Sequence, residues 1–320
     1  MSFDCPLVRI PDIKLRFTLE QCTRNLPNVH PGNKIDTLDP MKRLIINADD
    51  FGVTRGVNRA IQQLGVGGHL TSATMMAVAA EHSEALSFAH KASPLRFGCH
   101  IVLVDGEPAL PAAELPTLTD PQTGRFRHSL GKFVLDLFLG RIHATEIEAE
   151  ADAQITRLLK LDLPLTHFDT HKHTHIFPRV LEPVLQAAKR HGIHAVRNPF
   201  EPLWSLDATK GAPSARKRQI QFLNRFRPKF DKLVARSGLA TTDGAVGVLA
   251  TGTLDGPTLA ALLHAIPDGT WELVTHPGYN DEDLATTGTR LLSSRDKELV
   301  ALIHAAMPHD IKLIHFGDLP

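Results

Sequence analysis

From Arg43 onward, short apolar runs alternate with longer stretches in which apolar residues recur every three to four positions. The runs 43–48 (RLIINA), 71–77 (TSATMMA), 96–103 (RFGCHIVL), 164–168 (PLTHF), 194–197 (HAVR), 246–249 (VGVL), 271–275 (WELVT) and 311–316 (IKLIHF) have the length and composition of buried strands. The stretches 56–66, 82–91, 145–160, 178–191, 214–237, 257–265 and 293–306 show helical spacing. Gly67-Gly68 and Gly192 stand just past two of them, where helices stop. Strand and helix repeated about eight times predict a parallel α/β sheet, and so many units suit a closed or nearly closed (β/α) barrel; an open doubly wound sheet is the alternative. Residues 104–144 break the rhythm after the third strand. They are long and Pro-rich, and read as a lid or insertion over the site. Residues 1–40 show no clear period, and Met41 stands directly before the first strand. The expected organisation is a non-catalytic N-terminal extension, 1–40, followed by one barrel domain, 41–320.

Composition narrows the partners. Lys+Arg and Asp+Glu are both 35 among 320 residues. That balance argues against a broad nucleic-acid surface, and the basic stretch from Arg216 to Lys232 reads as the solvated face of an amphipathic helix. No run of 18 apolar residues is present, so no membrane span is expected. The N-terminus lacks the basic-then-apolar order of a signal peptide. Cys5, Cys22 and Cys99 form no CxxC, as in reduced, cytoplasmic proteins. The expected partner is a small-molecule substrate; a homo-oligomer is left open. Histidine is the unusual count, at 18, and it is both the commonest metal ligand and the usual acid or base near neutral pH.

A parallel α/β barrel places its catalytic groups where the strands end at their carboxyl edge. That rule gathers Asp49-Asp50, His100, the block THFDTHKHTH at 166–175, Arg197 and His276 from segments far apart in sequence. His167, Asp169, His171, His173 and His175 fall at alternate positions, which an extended chain puts on one face. The strand should end near Asp169, with a loop leading to a helix start at Pro178. Taken singly, His173 and His175 also fit polar loop positions bonded to backbone. One carboxylate and two histidines form a three-ligand set with open positions, used by zinc hydrolases and non-haem iron centres alike. We assign it to Asp50, His100 and His171. Asp49 is then free to act as base, because a metal lowers the pKa of its bound water from about 15.7 to about 7. Adjacency does not decide which aspartate ligates, and an isolated pair would equally cap helix 56–66. His100 alone would read as a core histidine, and Cys99, facing the other way, as core. His276 precedes Pro277-Gly278 and is the candidate general acid. Asp169 would orient a histidine or Arg197; Arg197 would do the same or serve as a structural salt bridge. Trp204 is either a sugar platform or a packing residue.

The blocks LIINADDFGVTRGVNRAI, HLTSATMMAVA, FGCHIVLVDGEP, THFDTHKHTHIFPRV and ELVTHPG, in that order, resemble the YdjC-like carbohydrate deacetylases. That family includes chitooligosaccharide and hopanoid-associated deacetylases. The resemblance runs from Arg43 to the C-terminus. It implies a (β/α)-barrel that removes acetyl from an N-acetylated amino sugar. It also implies one divalent metal, Mg²⁺ by resemblance, on Asp50, His100 and His171, with Asp49 as base and His276 as acid. Ligand softness leans instead to Zn²⁺. The residues Asp169, His173 and Arg197 would support the site or the substrate. The rival readings are a two-histidine, one-carboxylate iron oxygenase, a non-enzymatic metal binder, and a phosphate-ester hydrolase.

Overall fold

The computed structural model describes residues 42–91 and 94–320; the expected extension 1–40 lies outside the described residues. Strand β1 (Lys42–Phe51) is the axis of the sheet and is buried from Leu44 onward. One edge pairs in parallel with β7 (Gly269–Thr275), from Lys42 through Ala48. The other edge is shared: Lys42–Leu44 pair with β8 (Ile311–Leu313), and Asn47 to Phe51 with β2 (Ser72–Met75). The sheet continues through β3 (Arg96–Ile101) and β4 (Leu165–Thr170) to β5 (Ala195–Val196), and on the other side through β7 to β6 (Gly244–Val246).

The two ends of the sheet meet. Val196 N–H donates to Ala240 O at 2.9 Å, Ala240 N–H to His194 O at 2.7 Å, and Ala245 N–H to Phe200 O at 3.3 Å. The result is a curled, barrel-like parallel sheet of seven strands. The eighth predicted strand is short and lies against β1 rather than extending the curl, because β2 and β8 divide one edge of β1 between them.

Helices cover the outside as their periodicity requires. In helix Arg55–Val66, Val57, Ala60, Ile61 and Leu64 are all fully buried, and each large side chain so buried contributes about 1.5–3 kcal/mol. Thr54 caps it, its Oγ1 accepting from Val57 N–H at 3.2 Å. Capping is therefore not the work of Asp49-Asp50. The long helix expected over 214–237 is broken into Ser214–Leu223 and Arg227–Ser237; Pro228, with no N–H, fits only the first turn of the second piece. Strand 246–249 stops early at Val246. Gly247 turns at φ 89°, and the N–H groups of Gly247 and Leu249 donate to the Glu201 carboxylate instead of a ladder.

The insertion after β3 is anchored rather than loose. Glu150, on helix Ala144–Leu159, accepts from Ala109 and Leu110 N–H at 2.7 and 3.1 Å, and Glu146 from Thr117 N–H at 2.8 Å. Its first residues reach the carboxyl edge of the barrel, where Asp105 accepts from Lys172 Nζ at 2.5 Å and pairs with His128 Nδ1 at 2.8 Å. Trp204 packs edge-on against Trp271 at 5.2 Å, as a packing residue does. Among the described residues no helix is long and apolar enough to cross a membrane.

Gly98 shows how closely the interior is filled. A Cβ there would stand 2.6 Å from the ring of His167, which itself stacks on Phe316 at 3.8 Å. Gly98→Ala is expected to cost about 1–3 kcal/mol, the usual range for overpacking. A urea midpoint that falls accordingly would bear this out; an unchanged midpoint would mean that the His167 ring has room to move.

Candidate metal and active centre

Neighbours on a regular strand point to opposite faces, yet Asp49 and Asp50 both reach the same site. The register of β1 against β2 shifts between Ala48 and Phe51, and Asp50 adopts φ 66°. A non-glycine residue in that left-handed region costs about 1 kcal/mol or more, and such positions concentrate at functional sites. This irregularity turns Asp50 onto the mouth of the barrel while Asp49 keeps its inward place. Both are buried.

His100 arrives from β3, directly opposite Asp169 in the β3–β4 register. Its Nδ1 lies 2.7 Å from Asp169 Oδ1, so the Nδ1 proton goes to that carboxylate and Nε2 faces the mouth. Nε2 is 3.5 Å from Asp50 Oδ1 and 3.4 Å from His171 Nδ1, and His171 Nδ1 is 3.6 Å from Asp50 Oδ1. Metal bonds of about 2.0–2.2 Å at tetrahedral angles separate neighbouring donors by roughly 3.3–3.6 Å. One oxygen and two imidazole nitrogens thus form a triangle of the size that one small divalent cation requires. A second grouping, Asp49, His100 and Asp169, has its donor atoms within 4.8 Å of one another. Its carboxylates are already bound by Arg197, which leaves them poorer donors.

The alternation of β4 holds through His171 and then fails. Lys172 and His173 are both left-handed, at φ 55° and 53°. The chain therefore turns away, and His173 and His175 stand apart from the three donors. His175 is buried, paired through Nδ1 with Thr170 Oγ1 at 2.7 Å and through Nε2 with Arg197 O at 3.2 Å. Burial, aided by the charge of Arg197, pushes it down to about 3, so it is neutral. His173 lies beside it, ring centres 6.4 Å apart, and its buried Nδ1 has no hydrogen-bond partner among the described residues.

Arg197 ends β5 and is fully buried. It grips Asp49 with two N–H groups at 2.6 and 2.8 Å, donates from Nε to Glu272 at 2.8 Å, and pairs with Asp169. Arg295, at the start of helix Ser293–Ile303, donates to Asp50 Oδ2 at 2.5 Å. Four carboxylates (Asp49, Asp50, Asp169, Glu272) therefore meet two guanidinium groups; with all four ionised, two negative charges are left over. The titrations follow that surplus. Burial opposes charge on His100, but Asp169, Asp49 and Asp50 outweigh it and push the imidazolium up to about 9. Burial alone would raise the Asp49 carboxyl, but Arg197 holds it well below the usual range. Glu272 is pushed up to about 7 by burial, against the pull of Arg197.

His276, just past β7, places Nε2 3.7 Å from Asp49 Oδ2, and its backbone N–H donates to Glu298 at 2.6 Å. Burial depresses it to about 4, so it is neutral at neutral pH. Asp49 Oδ1 also receives Asn47 Nδ2 at 2.9 Å and Thr74 Oγ1 at 3.3 Å. The seven groups Asp49, Asp50, His100, Asp169, His171, Arg197 and His276 are thus brought together. Sequence reasoning missed Glu272, Arg295, Glu298, Asn47 and Thr74. Only Glu272 left a signal: a charge in the middle of the otherwise apolar run WELVT.

Residues 43–312 match the sequence model of the YdjC-like protein family. The chain belongs to that family. A family member named carbohydrate deacetylase from Brevibacillus brevis is 31% identical over 283 residues, covering 87% of this chain and 99% of the relative. Another of that name, from Geobacillus stearothermophilus, is 33% identical over 261 residues, covering 81% and 88%. Among solved structures, a protein of Enterococcus faecalis provisionally named for cellobiose-phosphate cleavage superposes with a TM-score of 0.68 at 23% identity, covering 86% of this chain and 97% of its own. That likeness carries the fold alone.

The raised His100 sets a pH dependence. In the metal-free chain its charged form stabilises the fold below the ordinary value of 6.5, and that contribution is lost as pH rises through about 9. A cation bound at Nε2 must displace this proton. Divalent-metal affinity is therefore expected to rise about tenfold per pH unit between about pH 7 and pH 9, with about one proton released. Competition against a chromophoric chelator measures it; a pH-independent affinity would place the cation elsewhere.

Proposed function

We propose that this YdjC-like protein is a carbohydrate deacetylase that hydrolyses the acetamide of an N-acetylated amino sugar, a chitooligosaccharide or an N-acetylglucosaminyl conjugate. The names of its relatives support the substrate class. We assign one divalent cation to Asp50 Oδ1, His100 Nε2 and His171 Nδ1, Mg²⁺ by family resemblance, with Zn²⁺ as the alternative favoured by two nitrogen ligands. When bound, such an ion polarises a carbonyl and lowers the pKa of water.

The remaining work falls to the chain's own groups. Asp49 Oδ1 is saturated by Arg197, Asn47 and Thr74, but Oδ2 receives only Arg197 and keeps a lone pair toward the mouth. Asp49 takes the proton of the attacking water at Oδ2. Held so far down by Arg197, it gives that proton up readily. His276 Nε2, 3.7 Å away and neutral, is placed to receive it and to hand it to the departing amine. An amine is a poor leaving group without that proton. Arg197 fixes the Asp49 carboxylate in both position and ionisation; Asp169 fixes the His100 tautomer; Glu298 fixes the backbone of His276. We assign His173, whose buried Nδ1 has no hydrogen-bond partner among the described residues, to substrate binding.

The observation that carries this reading is the Asp49–His276 pair beside the three donors. An iron oxygenase or a metal store has no need of an adjoining proton acceptor and donor. Acetate release from a panel of N-acetylated sugars tests it directly. Asp49→Asn is expected to lower kcat about 10²–10⁴-fold, the scale of general base catalysis, with metal still bound. His171→Ala should lose metal and activity together. Full activity in the first variant, or a metal-free active form of the second, would refute the assignment.

A further inference from the structure

A second feature lies beside the mouth of the barrel and plays no part in the chemistry above. On helix Leu130–Phe138 of the insertion and the residue after it, Leu135, Phe138 and Leu139 are 56%, 51% and 55% exposed. Phe222, at the end of helix Ser214–Leu223, is 55% exposed. The two groups are joined through Phe226, whose ring lies 6.1 Å from Phe138 and 6.4 Å from Phe222. Phe177 underlies them, 5.7 Å from Phe138 and 5.5 Å from Phe226, and Phe177 directly precedes the helix that follows the His171 loop. Leucines and phenylalanines scattered singly over a surface need no explanation; a contiguous exposed group does.

Charge says what the patch faces. The whole chain is formally neutral, yet between Arg216 and Arg236 eight Lys or Arg residues stand against the single acid Asp231. Arg218 is exposed on the same helix as Phe222, Arg225 in the turn that follows it, and Lys229 and Lys232 on the next helix, Arg227–Ser237; the Arg225 guanidinium lies 5.4 Å over the Phe222 ring. On the insertion helix, Lys132 is exposed beside Leu135. Exposed aromatic and aliphatic side chains rimmed by Lys and Arg form the pattern that seats in the interface of an anionic bilayer, with apolar groups entering the acyl boundary and basic groups meeting the headgroups. A second copy of the chain suits the patch less well. A two-fold contact sets the same surface against itself, and here that would bring the basic clusters together.

We propose that this face docks the protein on the surface of anionic lipid membranes, with the barrel mouth beside the bilayer. Binding is peripheral and depends on both halves of the pattern.

Co-sedimentation of the full chain with vesicles tests this independently of any acetate assay. Wild type is expected to bind vesicles containing phosphatidylglycerol, to release as salt is raised, and to ignore pure phosphatidylcholine. Leu139→Asp with Phe222→Asp, and separately Arg225→Glu with Lys229→Glu, should each weaken binding about tenfold or more. All four side chains are exposed, so the thermal midpoint should not move. The proposal is overturned if wild type fails to sediment with the anionic vesicles, or if either double variant binds as wild type does. It is overturned equally if wild type is a dimer that Leu139→Asp with Phe222→Asp converts to monomer without an effect on vesicle binding.

Discussion

A buried guanidinium with more carboxylates around it than it can neutralise governs the mouth of this barrel. Arg197 reaches Asp49, Asp169 and Glu272 at once, and Arg295 takes one oxygen of Asp50. Burying charge is expensive unless it is paired, and removing one partner of such a set is costlier still. The network therefore fixes its members: Arg197 clamps both oxygens of Asp49, Asp169 is held between Arg197 and His100, and His100 presents Nε2 to the mouth. The surplus negative charge that remains draws in positive charge. In the bare chain that is a proton on His100; the three converging donors have the geometry for a cation instead.

The same edge holds the backbone irregularities that aim these groups. Asp50, Lys172 and His173 are three of the five non-glycine residues at positive φ among the described residues. The first lets two adjacent aspartates serve one site from one strand. The other two end the alternation of β4 immediately after His171, so that five evenly spaced polar residues part ways: His171 joins the donor triangle, Asp169 bonds His100, His173 lies beside His175, and His167 and His175 are buried. Membership of the YdjC-like family over residues 43–312 takes in all eight strands but for the first residue of β1 and the last of β8.

How much of this was legible in the sequence follows from geometry. Strand ends were easy to read, because a parallel barrel brings them to one rim whatever the details of packing; the convergence of Asp49, Asp50, His100, Asp169, His171, Arg197 and His276 was legible that way. Groups that enter the site from the middle of a strand or from a helix carry no such mark. Asn47 and Thr74 look like ordinary strand residues, and Arg295 lies within the polar pattern SSRDKE of an unremarkable helix start. The curled seven-strand arrangement was likewise hidden. Nothing in IKLIHF tells that β8 will share an edge of β1 with β2 rather than extend the sheet. The alternation of 167 to 175 was over-read, because extended spacing says nothing of where a chain leaves its strand.

The central claim is that Asp50, His100 and His171 share a single divalent ion. Anomalous diffraction from crystals of the metal-loaded protein tests it most directly. The account predicts one ion with bonds of about 2.0–2.2 Å to the Asp50 carboxylate, His100 Nε2 and His171 Nδ1. An ion held by Asp49 and Asp169 without His171, or one bound away from the mouth of the barrel, would contradict it.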